Sequence, residues 1–191
     1  MNDTRITSHT QKRPTIFVSG PSSSCDADTA GKGRALGHAI ARGQAILLTG
    51  TGNGFARYVA EGAMSEGGTV IGLSPASNVE EHTSLYGLST LYHDTIIYTG
   101  FGYAGRDMLL SRSADAMIVG SGDVAHAYDI MLLLHEKKPC GVLEGPWLLD
   151  DTLKELFTRS GRTREGMVFS PDSETLVTRI LEEIRMTRMR A

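Results

Sequence analysis

Cysteine is scarce in this sequence. Cys25 and Cys140 are the two, far apart and in none of the spacings that hold a metal or form a redox pair. That removes thiolate metal centres and dithiol chemistry from consideration. No apolar run approaches the roughly 20 residues needed to span a bilayer, and the first residues lack the apolar core of a secretory signal. The expectation is a cytoplasmic protein with no membrane partner. An excess of charge is missing too. The formal net charge is -3, with no clear basic stripe, which argues against nucleic acid as a partner. Internal repeats, low-complexity segments and linkers are also absent. What remains is a chain of 191 residues, 40% hydrophobic and 21% charged, the composition of an ordinary globular protein long enough to bury a core. The polar stretch MNDTRITSHTQKR, residues 1–13, is expected to be a flexible N-terminal tail, and residues 14–191 a single domain.

From Thr15 onward, strand and helix patterns alternate. Apolar runs predict strands at Thr15–Gly20, Ala45–Gly50, Thr69–Ser74, Thr95–Gly100, Ala116–Gly122, Pro139–Gly145 and Met167–Ser170. Helical spacing predicts helices at Asp28–Gln44, Gly54–Glu66 (with Ala56, Ala60 and Ala63 on one side), Arg106–Ser113, Val124–His135 and Asp150–Arg159. Ser170-Pro171 is expected to open a last helix, with the proline at its first position. Val79–His93 has turn chemistry and no clear period. The strand runs are apolar throughout rather than alternating, as parallel strands covered on both faces require. The predicted fold is α/β: a Rossmann-like, doubly wound, mostly parallel sheet in a single domain.

In such a sheet, ligands sit beyond the carboxyl ends of the strands, and several of those ends are unusual here. Ser19-Gly20-Pro21-Ser22-Ser23-Ser24 follows the first strand and Gly50-Thr51-Gly52-Asn53-Gly54 the second. Gly100-Phe101-Gly102 follows the fourth, and Gly120-Ser121-Gly122-Asp123 the fifth. Glycine permits close approach of a ligand to backbone N–H groups, and a helix beginning at each turn adds its positive end. Phosphate is the ligand type such turns suit best. The competing reading is that the glycines only close tight turns; convergence of four such turns on one sheet edge favours a ligand. The spacing of Gly50, Gly52 and Gly54 is not the dinucleotide fingerprint, and there is no Walker lysine.

Three segments carry a family resemblance. LLTGTGNGFARYVAEGAMSEGGTVIGLSP resembles the corresponding part of the SLOG superfamily, which includes Lonely Guy proteins, once called putative lysine decarboxylases, and molybdenum cofactor carrier-like proteins. GRDMLLSRSADAMIVGSG is similar to that family's arginine-containing helix and following strand, and KKPCGVLEG to its next strand. The resemblance spans roughly residues 14–145. It implies a nucleotide or nucleotide-derived ligand, the molybdenum cofactor being one candidate, and a homodimer or larger homo-oligomer. It also places the family's arginine on Arg106. Catalytic members carry P-G-G-x-G-T-x-x-E. Here the corresponding stretch runs from Ser121 to Asp129, and only Gly122 and a terminal acid survive. Asp123 and Ala125 replace glycines, His126 replaces threonine and Asp129 replaces glutamate.

The expected ligand-binding set is Gly20, Ser22, Ser23, Gly50, Thr51, Gly52, Asn53, Gly54, Gly100, Gly102, Arg106, Gly120, Ser121, Gly122 and His126. The leading expectation is binding of a phosphorylated small molecule, as carrier or sensor. One alternative is a nucleoside 5′-monophosphate phosphoribohydrolase, with Arg106 and Asp129 catalytic; the eroded motif weighs against it. Another is a DNA-processing or partner-binding protein on the same fold. His126 and Asp129 share a helix face and read as an acid–base pair, as half of a metal site, or more simply as a solvated first turn. His38, His82, His93 and His135 form no metal spacing. Cys25 reads as a nucleophile or, more simply, as a small turn residue. The segment around Val124–Leu134 is apolar nearly all round, so part of it needs a second cover, from within the chain or from another subunit.

Overall fold

Seven short apolar runs become strands, and all pair in parallel. The structure, a computed structural model, describes residues 12–22, 25–120, 127–147, 151, 155, 159 and 166–190. The elements are β1 (Thr15–Ser19), α1 (Ala27–Arg42), β2 (Ile46–Thr49), α2 (Phe55–Ser65), β3 (Thr69–Ser74), a π-helical turn (Glu81–Leu85), β4 (Thr95–Tyr98), α3 (Gly102–Ser113), β5 (Ala116–Gly120), α4 (Ala127–His135), β6 (Cys140–Leu143), β7 (Met167–Ser170) and α5 (Ser173–Arg190). The strand order is β4-β3-β2-β1-β5-β6-β7. The chain winds outward from β1 to β4, then restarts beside β1 with β5. The reversal falls between β1 and β5, where a doubly wound sheet opens its crevice. The predicted Rossmann-like fold is the observed one.

Strand alternation sends successive side chains to opposite faces, and each face has its own core. Ile16, Val18, Leu47, Ile118 and Leu143 meet α1, α2 and α5 on one face. Phe17, Leu48, Met117, Val119 and Val142 meet α3 and α4 on the other. β4 departs from the expectation of cover on both faces. It is the edge strand, bonded only to β3, and Ile97 is 50% exposed.

α1 is capped by Asp26, whose side chain accepts from the Thr29 N–H at 2.7 Å; those Thr29 bonds hold the Asp26 carboxyl below its ordinary value. α1 and α2 approach so closely that small residues are obligatory at their crossing. A Cβ on Gly37 would lie 2.0 Å from the Val59 carbonyl oxygen, and one on Gly62 would lie 2.2 Å from that of Arg34. The predicted alanine face of α2 (Ala56, Ala60, Ala63) is buried.

Several boundaries differ from the sequence expectation. α3 begins at Gly102 rather than Arg106. α5 begins at Ser173, so Pro171 lies outside it. Asp172, not Ser170, caps that helix, accepting from the Thr175 N–H at 2.8 Å. Ser170 instead accepts from the Asp172 N–H. Residues 1–11 of the tail predicted at 1–13, residues 121–126, and most of the helix predicted at Asp150–Arg159 lie outside the described residues. Among the described residues, no helix is long and apolar enough to cross a membrane.

The crossing of α1 and α2 makes a prediction with opposite signs. Gly31, also in α1, has nothing among the described residues within 4 Å of an added Cβ. Gly31→Ala is expected to stabilise the protein by about 0.5–1 kcal/mol through helix propensity. Gly37→Ala is expected to destabilise it by about 1–3 kcal/mol through overpacking. Urea denaturation of the two variants measures both.

Candidate functional site

The carboxyl ends of β1 and β2 open into a cavity of about 560 Å³, within the size range of small-molecule sites. Ser19, Gly20, Pro21 and Ser22 form one wall, and Gly50, Gly52, Asn53 and Ala56 a second. Arg106, Asp107 and Asp129 contribute charge, while Phe17, Val18, Tyr86, Leu88, Tyr103 and Tyr128 complete the lining.

The glycines at this edge are required for different reasons. A Cβ on Gly20 would sit 2.9 Å from Phe55 and 2.5 Å from the Gly120 carbonyl oxygen; one on Gly120 would sit 2.4 Å from the Phe55 ring. Both are glycine because Phe55, fully buried at the start of α2, fills their space. Its N–H donates to the Pro21 carbonyl at 3.0 Å, tying the first two turns together. Gly50 is glycine because a Cβ there would lie 2.6 Å from a guanidinium nitrogen of Arg106. Gly52 differs: among the described residues, an added Cβ would meet only Ser22 Cα, at 4.0 Å. Its bareness faces the cavity, not a packed neighbour. Gly100 and Gly102 have φ of +69° and +65°. Their N–H groups donate to the Ala76 and Pro75 carbonyls, folding the turn before α3 back onto the end of β3.

Arg106 is the buried cation of the site, 8% exposed. Its Nη1 donates to the Gly50 carbonyl, and its Nε donates to Asp107 Oδ1 at 2.7 Å. The guanidinium carbon lies 5.2 Å from the Tyr103 ring centre, and Tyr103 meets Tyr86 edge-on at 5.4 Å. The Gly50 carbonyl also accepts from Thr51 Oγ1 at 2.7 Å. Thr51 is buried in the left-handed region, φ +58°, a conformation costly for a β-branched residue. These bonds hold it there.

Asp129, on α4, is 7% exposed and accepts from Ser19 Oγ at 2.9 Å. Behind it, the buried Cys140 thiol is pushed up to about 12, by burial first and then by the Asp129 charge. Cys25 is also raised, by burial and by Asp26, which works against a thiolate nucleophile. His38 bonds Ser65 at 3.0 Å, away from the cavity. No group of acidic, histidine or cysteine side chains able to hold a metal occurs among the described residues.

Of the expected residues, Gly20, Ser22, Gly50, Gly52, Asn53, Arg106 and Asp129 line one cavity. Thr51 and Gly54 lie in the turn after β2 and Gly120 ends β5, none of them lining the cavity, and Gly100 and Gly102 belong to the turn that leads into α3. Ser23, Ser121, Gly122 and His126 lie outside the described residues. The sequence reading missed Ser19, Asp107 and the tyrosines. Ser19 was signalled only by its place at a strand end, and the tyrosines by nothing local, because segments distant in sequence bring them together.

Sheet order and cavity thus define a Rossmann-like α/β protein with a ligand-sized crevice at the carboxyl edge of the sheet. A sequence model of the SLOG cluster4 family matches residues 13–176, and the chain belongs to that family. A comparison with the curated proteins gives no match. Among solved structures, the chain is similar to a molybdenum cofactor binding protein from the phototrophic bacterium Rippkaea orientalis, with 26% identity and TM-score 0.75 over 91% of this chain and 99% of that one. It is similar to the molybdenum cofactor carrier protein of Chlamydomonas reinhardtii at 25% identity and TM-score 0.72, over the same shares of the two chains. DNA processing protein A of Streptococcus pneumoniae, 15% identical with TM-score 0.67 over 88% of this chain and 62% of that one, shares the fold.

The packing of Gly50 against Arg106 is directly testable. Gly50→Ala is expected to displace the guanidinium and cost about 1–3 kcal/mol, whereas Gly52→Ala is expected to stay within about 0.5 kcal/mol. Thermal or urea unfolding distinguishes them.

Proposed function

We propose that the cavity binds a phosphate-bearing nucleotide or nucleotide-derived cofactor, and that the protein acts as its carrier or sensor. The observation that carries this reading is Gly52, whose bare backbone borders the cavity with room for a ligand beside it. Arg106 supplies a cation to the same space, and α2, starting at Phe55, adds a helix N-terminus next to it. Three tyrosines offer flat surfaces for a ring. The molybdenum cofactor is the ligand favoured among these, since two similar structures are named for binding or carrying it. A phosphate held by the glycine turn and Arg106, and a ring system against Tyr86 or Tyr103, fit the lining. The cofactor here is cargo, and no chemistry is asked of it.

The second reading, phosphoribohydrolase activity, draws support from Asp129 lining the same cavity as Arg106. Against it stands the Asp129 carboxylate, drawn back to Ser19 and 7% exposed. The carboxylate in such a reaction must face developing positive charge on the sugar.

A panel of nucleoside monophosphates and larger phosphorylated cofactors is expected to raise the melting temperature, with a hundredfold excess over Kd adding about 2.7 kcal/mol. Gly52→Val is expected to remove the shift with little loss of stability, since its side chain enters the cavity. Indifference of the wild type to the whole panel overturns the binding reading. No release of free base with ribose 5-phosphate is expected. If release occurs and Asp129→Asn stops it, the enzyme reading replaces this one.

We also propose a homodimer. Phe101, preceding α3, Met108 on α3, and Met131 on the adjoining α4 are exposed, apolar side chains that a second copy of the chain would cover. Sedimentation equilibrium at micromolar concentration is expected to give twice the 20.6 kDa chain mass. A clean 20.6 kDa species refutes it.

A further inference from the structure

The segment between β3 and β4 lies over the carboxyl ends of the sheet and supplies Tyr86 and Leu88 to the cavity. Its Gly87 carbonyl accepts from Asn53 Nδ2 at 2.9 Å, so it also touches the glycine turn. Two histidines pin this segment to the sheet in the same way. His82, fully buried, pairs through Nδ1 with Ser74 Oγ at 2.8 Å, and Ser74 Oγ accepts from the Ala76 N–H at 3.1 Å. His93 pairs through Nε2 with Thr49 Oγ1 at 2.7 Å, and Thr49 Oγ1 accepts from the Thr51 N–H at 3.3 Å. Each histidine thus reaches, through one hydroxyl at a strand end, the backbone two residues further on.

The His93 chain leads into the candidate site, and its polarity follows from the donors. Nδ1 lies 2.8 Å from the Leu91 carbonyl oxygen. A carbonyl only accepts, so Nδ1 carries the proton. In the neutral ring, Nε2 is then an acceptor, and the Thr49 hydroxyl donates to it. That leaves the Thr49 oxygen to accept from Thr51, the residue held at positive φ between Gly50 and Gly52. The ring packs on Gly72 of β3, where a Cβ would lie 2.7 Å from His93 Cδ2 and 2.5 Å from Thr51 Cγ2. Ring and turn therefore share one contact point as well as one hydrogen-bond chain.

We propose that His93 is a positioning residue for the ligand cavity: neutral, it holds the Gly50–Gly52 turn in its binding shape, and protonated, it releases that turn. Its bearing on ligand affinity rests on the phosphate-binding reading; its bearing on the turn does not. Protonation makes Nε2 a donor, so the Thr49 hydroxyl proton loses its acceptor. Thr49 is 1% exposed, and water does not replace that acceptor. The groups bearing on the ring's charge are His82, which disfavours a second positive charge, and Asp94, which favours it. Thr49 of β2 and Gly72 of β3, the sheet residues against it, carry none. Burial is the largest influence and pushes His93 below the ordinary histidine value. The folded state therefore prefers the neutral ring. Turn order is complete above the usual histidine range and is lost as pH falls through the depressed value.

Nuclear magnetic resonance of the full chain without ligand, titrated from about pH 8 to 5 across the histidine range, tests this. The expected result is an Nδ1–H tautomer for His93, and Thr51 and Gly52 amide resonances that shift with its midpoint. In Thr49→Val, which removes the relaying hydroxyl, His93 is expected to titrate while those amides no longer follow. Amides that ignore the His93 midpoint, that still follow it in Thr49→Val, or an Nε2–H tautomer overturn the proposal. A second arm uses adenosine 5′-monophosphate as probe in wild type and His93→Gln, so that the phosphate's own titration cancels. Below the His93 midpoint, wild-type affinity is expected to fall faster than the variant's, by an additional factor approaching tenfold per pH unit, the limit for one linked proton. Equal slopes remove His93 from control of the site. No binding of the probe at any pH, with the amide coupling intact, counts against the ligand reading and leaves the positioning role standing.

Discussion

Phe55 occupies the space that side chains on Gly20 and Gly120 would take, and the geometry of the sheet's carboxyl edge depends on that packing. β1 and β5 are the neighbouring strands at which the winding reverses. Their ends stay bare because one aromatic ring, fully buried at the first position of α2, is driven in between them by the hydrophobic effect. The same residue fixes the start of α2 through its N–H bond to the Pro21 carbonyl. Trp147 closes on the ring edge-on, at 6.4 Å between centroids, with Lys32 over the indole at 5.0 Å. This hydrophobic unit packs against the Gly20 and Gly120 backbone beside the cavity.

The site is held by carbonyl and hydroxyl groups rather than by ion pairs alone. The Gly50 carbonyl takes bonds from Arg106 and from Thr51, so one backbone oxygen fixes both a guanidinium and a strained turn. Arg106 in turn is flanked by Asp107 and Tyr103. Such a cluster is worth more together than as separate pairs, because each bond orients the next in a largely dry setting. It also sets the chemistry: a cation and a bare glycine turn beside a carboxylate, Asp129, that is committed to Ser19. That arrangement underlies the proposal that a phosphorylated molecule is retained here rather than cleaved. It is consistent with family membership.

The elements that the sequence made legible are those whose signal is local. Apolar runs marked all seven strands, because a parallel strand buried on both faces has no polar side to alternate with. Small residues at helical spacing marked α2. Glycine-rich turns marked the sheet edge where the cavity opens. Signals that depend on neighbours misled or were missing. The β4 run reads as apolar as any other strand, yet Ile97 is half exposed because β4 ends the sheet. Ser170-Pro171 reads as a helix opening, yet Asp172 caps α5.

By itself the sequence determined the fold class, the order of elements and the edge where the cavity opens, since periodicity and turn chemistry are properties of consecutive residues. Tertiary structure alone decided which glycines are open to a ligand. Gly20, Gly50 and Gly120 are alike in sequence to Gly52, but the first three are filled by Phe55 or Arg106, and whether a Cβ has room depends on atoms contributed from elsewhere in the chain. It also decided the partners of His82 and His93. These two lie in a segment without period and in no metal spacing, and acquire a role only because β2 and β3 place a buried hydroxyl opposite each ring. A hydrogen bond between distant residues leaves no trace in local pattern, because it is set by how the strands are ordered side by side.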